Sequence, residues 1–363
     1  MISKNVNWPA FELIANDKCW IEAEAIRGLE ALTRLEGVER VVGLPDLHPG
    51  LSPVGVAVAA RNFVHPFLLG EDLGCGMSLF ETGISIKKFK PEKAAGILEA
   101  LESLAAVEVE FDFEEPSPIK NLGSIGGGNH FLEFQAAEKI TDKKVVEKMD
   151  LDPGRILILV HSGSRDFGRT IYEKCVQGLD GLPQGSAAAQ EYLALHDQAL
   201  KWASRNRLLV AKKVLTALAV KEELRLILDI AHNYLEPIDD LIVHRKGAVS
   251  ALKGPVVIPG SRGTVTSLFN PAPDTAKSLF SLSHGAGRKW RRCDCRGRLE
   301  AKWTRQELRR TALGSHVICT DKATLYEEAP QAYKNVAEIL KCLEQNGLGK
   351  VIMTLAPLLT YKL

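Results

Sequence analysis

The stretch Ser283-His284-Gly285-Ala286-Gly287-Arg288 gathers in a short space the groups that phosphate chemistry uses. Glycines flank a single histidine, so a phosphate-bearing ligand can approach the backbone with no Cβ in the way. Arg288 can pair with phosphate oxygens through its planar fork. On its own this is a Gly-rich turn with a surface histidine. Its setting gives it weight. No G-x-x-x-x-G-K-[ST] loop and no K-x-D-G stretch occurs in the chain, which argues against P-loop nucleotide binding and against a lysine nucleotidyl site. Any nucleotidyl intermediate then falls to histidine, whose neutral imidazole is an adequate nucleophile for phosphorus.

A second group of residues points to metal. His130 follows the run Gly126-Gly127-Gly128-Asn129, while His161 and His232 stand at the ends of the apolar runs 155–160 and 225–230. Asp72 and Cys75 share the Gly-rich loop 70–77. Each of these histidines has a structural explanation when taken alone. Together with a carboxylate and a thiol they form a donor set that converging strand ends could hold around one or several metal ions. Cys and His favour zinc, whereas a carboxylate acting on phosphate substrates favours magnesium or manganese, and the donors alone leave the choice open.

The third feature is basic. Between His284 and Arg310 ten Lys and Arg residues face three acidic ones, a local excess of +7, with Trp290 and Trp303 interleaved. Cations neutralise phosphates and aromatic faces stack bases, so the segment reads as a surface for RNA or another single strand, against the alternative of a solvated basic helix. The Cys293-Asp294-Cys295 pair has no second, properly spaced partner pair and makes a poor zinc knuckle.

These residues need elements to position them. Helical spacing is expected over 20–37, from Pro91 with Ala94, Leu98, Leu101 and Leu104 inward, from Ala187 to about Leu224, and from Pro330 with Gly347 past its end. Strands are expected at 41–44, 54–59, 155–160, 225–230 and 350–355. The motif Pro45-Asp46-Leu47-His48-Pro49-Gly50 is expected to be a loop, 244–248 and 257–263 to be turn-like, 181–185 a linker and 359–363 a tail. The acidic, aromatic stretch 108–115 receives no chemistry. Irregular alternation of strands and helices, with no repeat, argues for an α+β or mixed fold without a doubly wound pattern.

The 363 residues, 45% of them hydrophobic, are enough for a large core. A net charge of +1 predicts no partner by itself, so any electrostatic footprint must be local. Seven cysteines without a compact framework suit reduced thiols. With no apolar h-region at the N-terminus and no membrane-length apolar run, the expected location is the cytoplasm, away from membranes.

At this point the chain resembles the RtcB family of RNA-splicing and repair ligases. The resemblance rests on Pro45 to Gly50, Asp72-Leu73-Gly74-Cys75-Gly76-Met77, Gly126 to Phe131, His161-Ser162-Gly163-Ser164-Arg165, His232-Asn233-Tyr234, His244 to Ala248, Pro259-Gly260-Ser261 and His284 to Arg288, and so covers nearly the whole chain. It implies a single catalytic domain over residues 1–363, an α+β fold with central β-sheets flanked by helices, and a GTP- and Mn²⁺-dependent ligase. Such an enzyme joins RNA 3′-phosphate or 2′,3′-cyclic phosphate ends to 5′-hydroxyl ends. By the same resemblance Asp72, Cys75, His130, His161 and His232 hold two Mn²⁺ ions with Cys75 bridging, and His284 is the residue that is guanylylated. Asp46 orients it. Asn129, Glu133, Ser261 and Lys362 match guanine-nucleotide contacts, Gly287 gives the nucleotide access, and Arg165 is matched to the RNA phosphate.

Three places depart from the family's usual pattern: Leu51-Ser52-Pro53 stands for a longer Gly-Lys-Gly type stretch, Arg262 for a common methionine, and Trp290-Arg291-Arg292 for a Ser-Arg pattern. The short chain is similar to a subgroup linked to ribosomal RNA repair and a release-factor-like partner. Two other readings compete. One is a metal-dependent RNA phosphoesterase or cyclic phosphodiesterase without ligation; the other is a non-catalytic RNA-binding protein.

Overall fold

The computed structural model describes residues 11–101, 103–110, 121–176, 178–221 and 223–363. The N-terminal pentapeptide and most of the acidic, aromatic stretch lie outside them. Two sheets carry the architecture. An eight-stranded sheet runs in the order Val256–Pro259, Thr266–Pro271, Gly349–Lys362, Phe131–Ile140, Arg155–Ser162, Gly76–Ser85, Leu224–Ala231, with His316–Cys319 also paired to the long strand Gly349–Lys362. A five-stranded sheet runs Phe11–Leu13, Val38–His48, Val54–Ala60, Leu241–Lys246, Asn233–Ile238. Neighbouring strands are antiparallel except for the Phe11–Leu13/Val38–His48 and His316–Cys319/Gly349–Lys362 pairs. Helices cover the sheets, and the architecture is α+β.

Strand Arg155–Ser162 shows why a continuous apolar run makes a central strand. Ile156, Ile158 and Val160 pack on one face with the helices Pro91–Glu99 and Ala187–Ala217, while Leu157 and Leu159 pack on the other with Val257, Leu268 and Met353. Both faces are buried, so no polar alternation survives. The long helix Ala187–Ala217 starts at Ser186, whose hydroxyl accepts from the Ala189 N–H. It ends earlier than the expected 224, because Ala219 turns into the left-handed region and the chain enters strand Leu224–Ala231. A third core joins the two sheets through Val42, Leu44, Ala57 and Val243 on one side and Val256, Ile258 and Phe269 on the other.

Several boundaries differ from the sequence reading. The first helix is shorter, Ala23–Leu32. Pro330 opens only a 3-10 turn, and the last helix is Val336–Gln345, capped by the Asn335 side chain. The segment Pro45 to His48 is strand, continued across an irregularity in its pairing with Val54–Ala60. His244 to Lys246 and Val257 to Pro259 are strand rather than turn. Residues 182–183 pair with Phe63–Val64, so the expected linker is anchored, and the expected tail is the end of the fourteen-residue strand Gly349–Lys362. Among the described residues, no helix is long and apolar enough to cross a membrane.

Candidate active site

Four adjacent strands of the larger sheet deliver the metal-type donors to one edge. Phe131 pairs with His161, Gly76 with Ser162, and Gly76 with Ala231. His130 immediately precedes the first of these strands, Cys75 precedes another, His161 closes a third and His232 follows the fourth. The antiparallel order therefore turns residues far apart in sequence into neighbours. The loop before Gly76 is tied down by the Asn233 amide donating to the Asp72 carbonyl at 3.0 Å and by the His232 N–H donating to the Cys75 carbonyl at 2.8 Å.

The donors form a chain of contacts. Cys75 Sγ lies 3.2 Å from His130 Nε2 and 3.2 Å from His161 Nε2. Asp72 Oδ2 lies 3.2 Å from His130 Nε2, and His232 Nε2 lies 3.4 Å from His161 Nε2. Cys75 thus sits in the middle, with Asp72 and His130 on one side and His161 and His232 on the other. Cys75, His130 and His161 offer ligand atoms that all lie within 4.8 Å of one another, a cluster that could hold a metal ion. Burial keeps His161 and His232 well below the ordinary imidazole pKa, helped by neighbouring imidazoles, so both present neutral nitrogens. Burial, then the Asp72 charge, pushes the Cys75 thiol up. Burial alone would raise the Asp72 carboxyl, but His130 beside it holds it below the usual carboxylate range. Neutral imidazoles, a carboxylate and a protonated thiol packed this closely fit a cation that would displace the thiol proton.

His284 stands beside this cluster, its ring centroid 4.7 Å from that of His232. It follows the short strand Ser281–Ser283, which pairs with Ala248–Ser250. Its Nδ1 lies 2.8 Å from Asp46 Oδ2, and the Asp46 side chain is wholly buried. An N–H at Nδ1 donated to the carboxylate leaves the lone pair on Nε2. Gly287 explains how the two segments approach: its φ is +70°, and a Cβ there would lie 2.3 Å from the Asp46 carbonyl oxygen. The glycine is therefore required by the contact that positions the histidine, as well as lining the cleft.

One open cleft collects most of the expected residues. Asp72, His161, His232 and His284 line it together with Asn129, Glu133, Ser261, Gly287 and Lys362. Cys75, His130 and Asp46 lie beneath its surface. Glu133 accepts from the Thr360 hydroxyl at 2.5 Å and the Gln135 amide at 2.7 Å, and burial pushes its carboxyl up. Lys362 reaches the same cleft from the end of the long strand, with burial lowering its ammonium. Arg165 is the exception: its Nη1 lies 3.1 Å from His130 Nδ1, its guanidinium packs against Gly126, and it does not line the cleft.

Sequence reasoning missed a buried cluster in the same wall. Glu328 accepts from Arg288 at 2.9 Å and from the Tyr333 hydroxyl, and lies 3.9 Å from Lys362. No local pattern marks Glu328, because its charged partners Arg288 and Lys362 come from two distant segments. The basic segment forms the helices Arg292–Leu299 and Arg305–Leu308. Its start lines a second cleft with Trp20, which adjoins the first through His48, Pro49, Arg288 and Arg292. Arg298 and Lys289 lie 5.1 and 5.3 Å from the Trp290 ring centroid. Cys293 is exposed and Cys295 buried, so the two thiols do not converge.

An α+β framework that gathers metal-type donors beside a carboxylate-paired histidine in an open cleft defines an enzyme of nucleophilic transfer. The chain belongs to the RtcB family: the family model described as tRNA-splicing ligase RtcB matches residues 28–121 and 114–363. It is 43% identical over 362 aligned residues to the RNA-splicing ligase RtcB2 of Escherichia coli, covering 96% of this chain and 94% of that protein. It is 28% identical to the tRNA-splicing ligase RtcB of Aeropyrum pernix, covering 96% of this chain and 92% of that one. For the tRNA-splicing ligase RtcB of Archaeoglobus fulgidus the identity is 25%, with 93% and 91% covered.

Proposed function

We propose that this chain is a GTP- and manganese-dependent RNA ligase that joins 3′-phosphate or 2′,3′-cyclic phosphate ends to 5′-hydroxyl ends, acting as one catalytic domain in the cytoplasm. The observation that carries the reading is the Asp46–His284 pair at 2.8 Å, set beside the Cys75-centred donors in a single cleft. Both sheets build that cleft, which supports one catalytic unit. Seven cysteines, none in a disulfide, suit a reducing compartment.

Asp72, Cys75 and His130 would hold one Mn²⁺ and Cys75, His161 and His232 the other, with the shared thiolate between them. The ions would screen phosphate charge and stabilise attacking and leaving oxygens. The chain's own residues do the rest. His284 Nε2 attacks the α-phosphorus of GTP; the Nε2–P bond forms as the α–β phosphoanhydride bond breaks and pyrophosphate leaves. Asp46 holds the Nδ1 proton and offsets the positive charge that grows on the ring. An oxygen of the RNA 3′-phosphate then attacks that phosphorus, breaking the Nε2–P bond and freeing His284. The 5′-hydroxyl oxygen attacks the RNA phosphate, loses its proton and expels GMP. A cyclic phosphate is first opened by water. Asn129, Glu133, Ser261 and Lys362 bind the guanine nucleotide, and Gly287 keeps its approach open; Arg165, which lies behind His130 rather than on the cleft wall, would take an RNA phosphate only by turning from His130. The groove between Trp20 and Trp290 supports an RNA path into the cleft.

The chain's length, matched by a 43% identical relative, supports placement in the shorter subgroup, and with that placement we propose broken ribosomal RNA as substrate and a release-factor-like protein as partner. Radiolabelled GTP tests the reading. With Mn²⁺ the protein should acquire an acid-labile label that disappears in His284→Ala. Absence of label on folded, metal-loaded protein would refute ligation by this route, and label retained in the variant would refute the nucleophile.

A further inference from the structure

Arg262 occupies the tip of the hairpin between strands Val256–Pro259 and Thr266–Pro271. The tip is fixed by the Thr264 N–H and hydroxyl, which both donate to the Ser261 carbonyl at 2.9 and 2.7 Å. Gly263 there has φ +80°, and a Cβ on it would come within 2.5 Å of Thr311 Cβ, so the turn is pressed against the neighbouring segment. Arg262 is only 8% exposed. Its Nη2 donates to the Leu325 carbonyl at 3.0 Å, while Nη1, equally buried, has no hydrogen-bond partner among the described residues. A buried N–H left unpaired is costly and calls for a partner.

Arg262 is one of the residues lining the cleft, beside Ser261, Thr264 and Lys362. Its nearest buried carboxylate, Glu328, is already engaged by Arg288, Tyr333 and Lys362. The Nη1 N–H therefore has no hydrogen-bond acceptor among the described residues. Elsewhere in the same cleft Glu133 offers a carboxylate, so the walls pair an acceptor with cationic donors. Guanine has the matching edges: N1–H and the 2-amino group donate, O6 and N7 accept, and an arginine fork fits O6 and N7.

We propose that Arg262 Nη1 donates to the O6/N7 edge of the guanine of bound GTP and so helps determine base identity. This rests on the reading of the cleft as a GTP site. The experiment compares GTP with 7-deaza-GTP, which lacks the N7 acceptor, on the full metal-loaded chain, using wild type and Arg262→Met. Methionine keeps an unbranched stem and removes the donors. Wild type should bind 7-deaza-GTP more weakly than GTP, by roughly tenfold. R262M should raise KM for GTP in self-guanylylation roughly ten- to a hundredfold with a much smaller change in kcat, and lose the discrimination against 7-deaza-GTP.

An R262M enzyme with wild-type KM overturns the proposal. So does one that binds GTP weakly yet still discriminates against 7-deaza-GTP as wild type does, since Arg262 would then act on the phosphates. Should R262M fail to fold, Arg262→Lys keeps the charge without the fork and should lose most of the N7 discrimination; full discrimination in R262K overturns the proposal. If wild type takes no label at all, the ligase reading falls. Equilibrium titration of GTP against 7-deaza-GTP then still decides the role of Arg262.

Discussion

Replacing Asp46 by Asn isolates what the buried carboxylate does for His284. The side chain of Asp46 is 0% exposed and that of His284 13%, so solvent screens the pair little. Attack through Nε2 puts positive charge on the ring, roughly 4 Å from the carboxylate charge, where an effective dielectric of ~20 gives an attraction of about 4 kcal/mol. Asparagine keeps the shape and removes that term, which slows guanylylation by roughly 10²–10³-fold. It can also turn its amide N–H toward Nδ1, moving the ring proton to Nε2 and removing the nucleophilic lone pair, which deepens the loss. The assay is rapid-quench label incorporation from GTP under single-turnover conditions, with GTP affinity and bound metal measured in parallel. Both should stay near wild type, since Asp46 lies beneath the cleft and touches no donor of the metal-type cluster. A D46N rate within about threefold of wild type, on folded protein, would refute the charge argument.

Metal content gives a second prediction. Cys75 touches donors on both sides, whereas Asp72 meets the cluster only at its His130 end, against His130 and Cys75. Native mass spectrometry in Mn²⁺ should therefore show Cys75→Ala losing both ions and Asp72→Asn losing one; equal loss in the two variants would contradict a shared thiolate. A third prediction concerns acid stability. His244 is buried, its Nε2 accepts the His65 N–H at 2.9 Å, and burial lowers its pKa from 6.5 to about 3. The unfolded chain protonates first, so as pH falls from 6.5 towards 3 the folded state loses stability, by up to roughly 4 kcal/mol from this group. Urea unfolding at stepped pH should show a shallower decline in His244→Gln, which has no proton to take up, and an unchanged slope would exclude His244 as the source.

The candidate site was legible because it gathers residue types that few other roles demand. Glycines on both sides of His284, a Cys and an Asp in one Gly-rich loop, and histidines at the ends of apolar runs all carry local signatures, since backbone conformation and strand burial are written in nearby residues. The long helix from Ala187 and the central strand at 155–160 were legible for the same reason. Elements set by distant partners were not. Asp46 sits within the strand Val38–His48 rather than in a loop because that strand resumes its pairing with Val54–Ala60 at His48, beyond the irregularity that holds Asp46, and Lys362 reaches the cleft because the supposed tail is part of the larger sheet.

Sequence alone singled out the candidate side chains: His284 between its glycines, five metal-type donors and a basic, tryptophan-bearing segment. Tertiary structure decided how they combine. Antiparallel pairing of four strands brings Cys75 between His130 and His161, contacts that span 55 and 86 residues of chain. The Asp46–His284 pair spans 238. Such contacts form when whole sheets pack and their burial outweighs the entropy of closing long loops, so no local stretch encodes them. The same packing placed Arg262 on a fixed turn with one buried N–H that has no hydrogen-bond partner among the described residues.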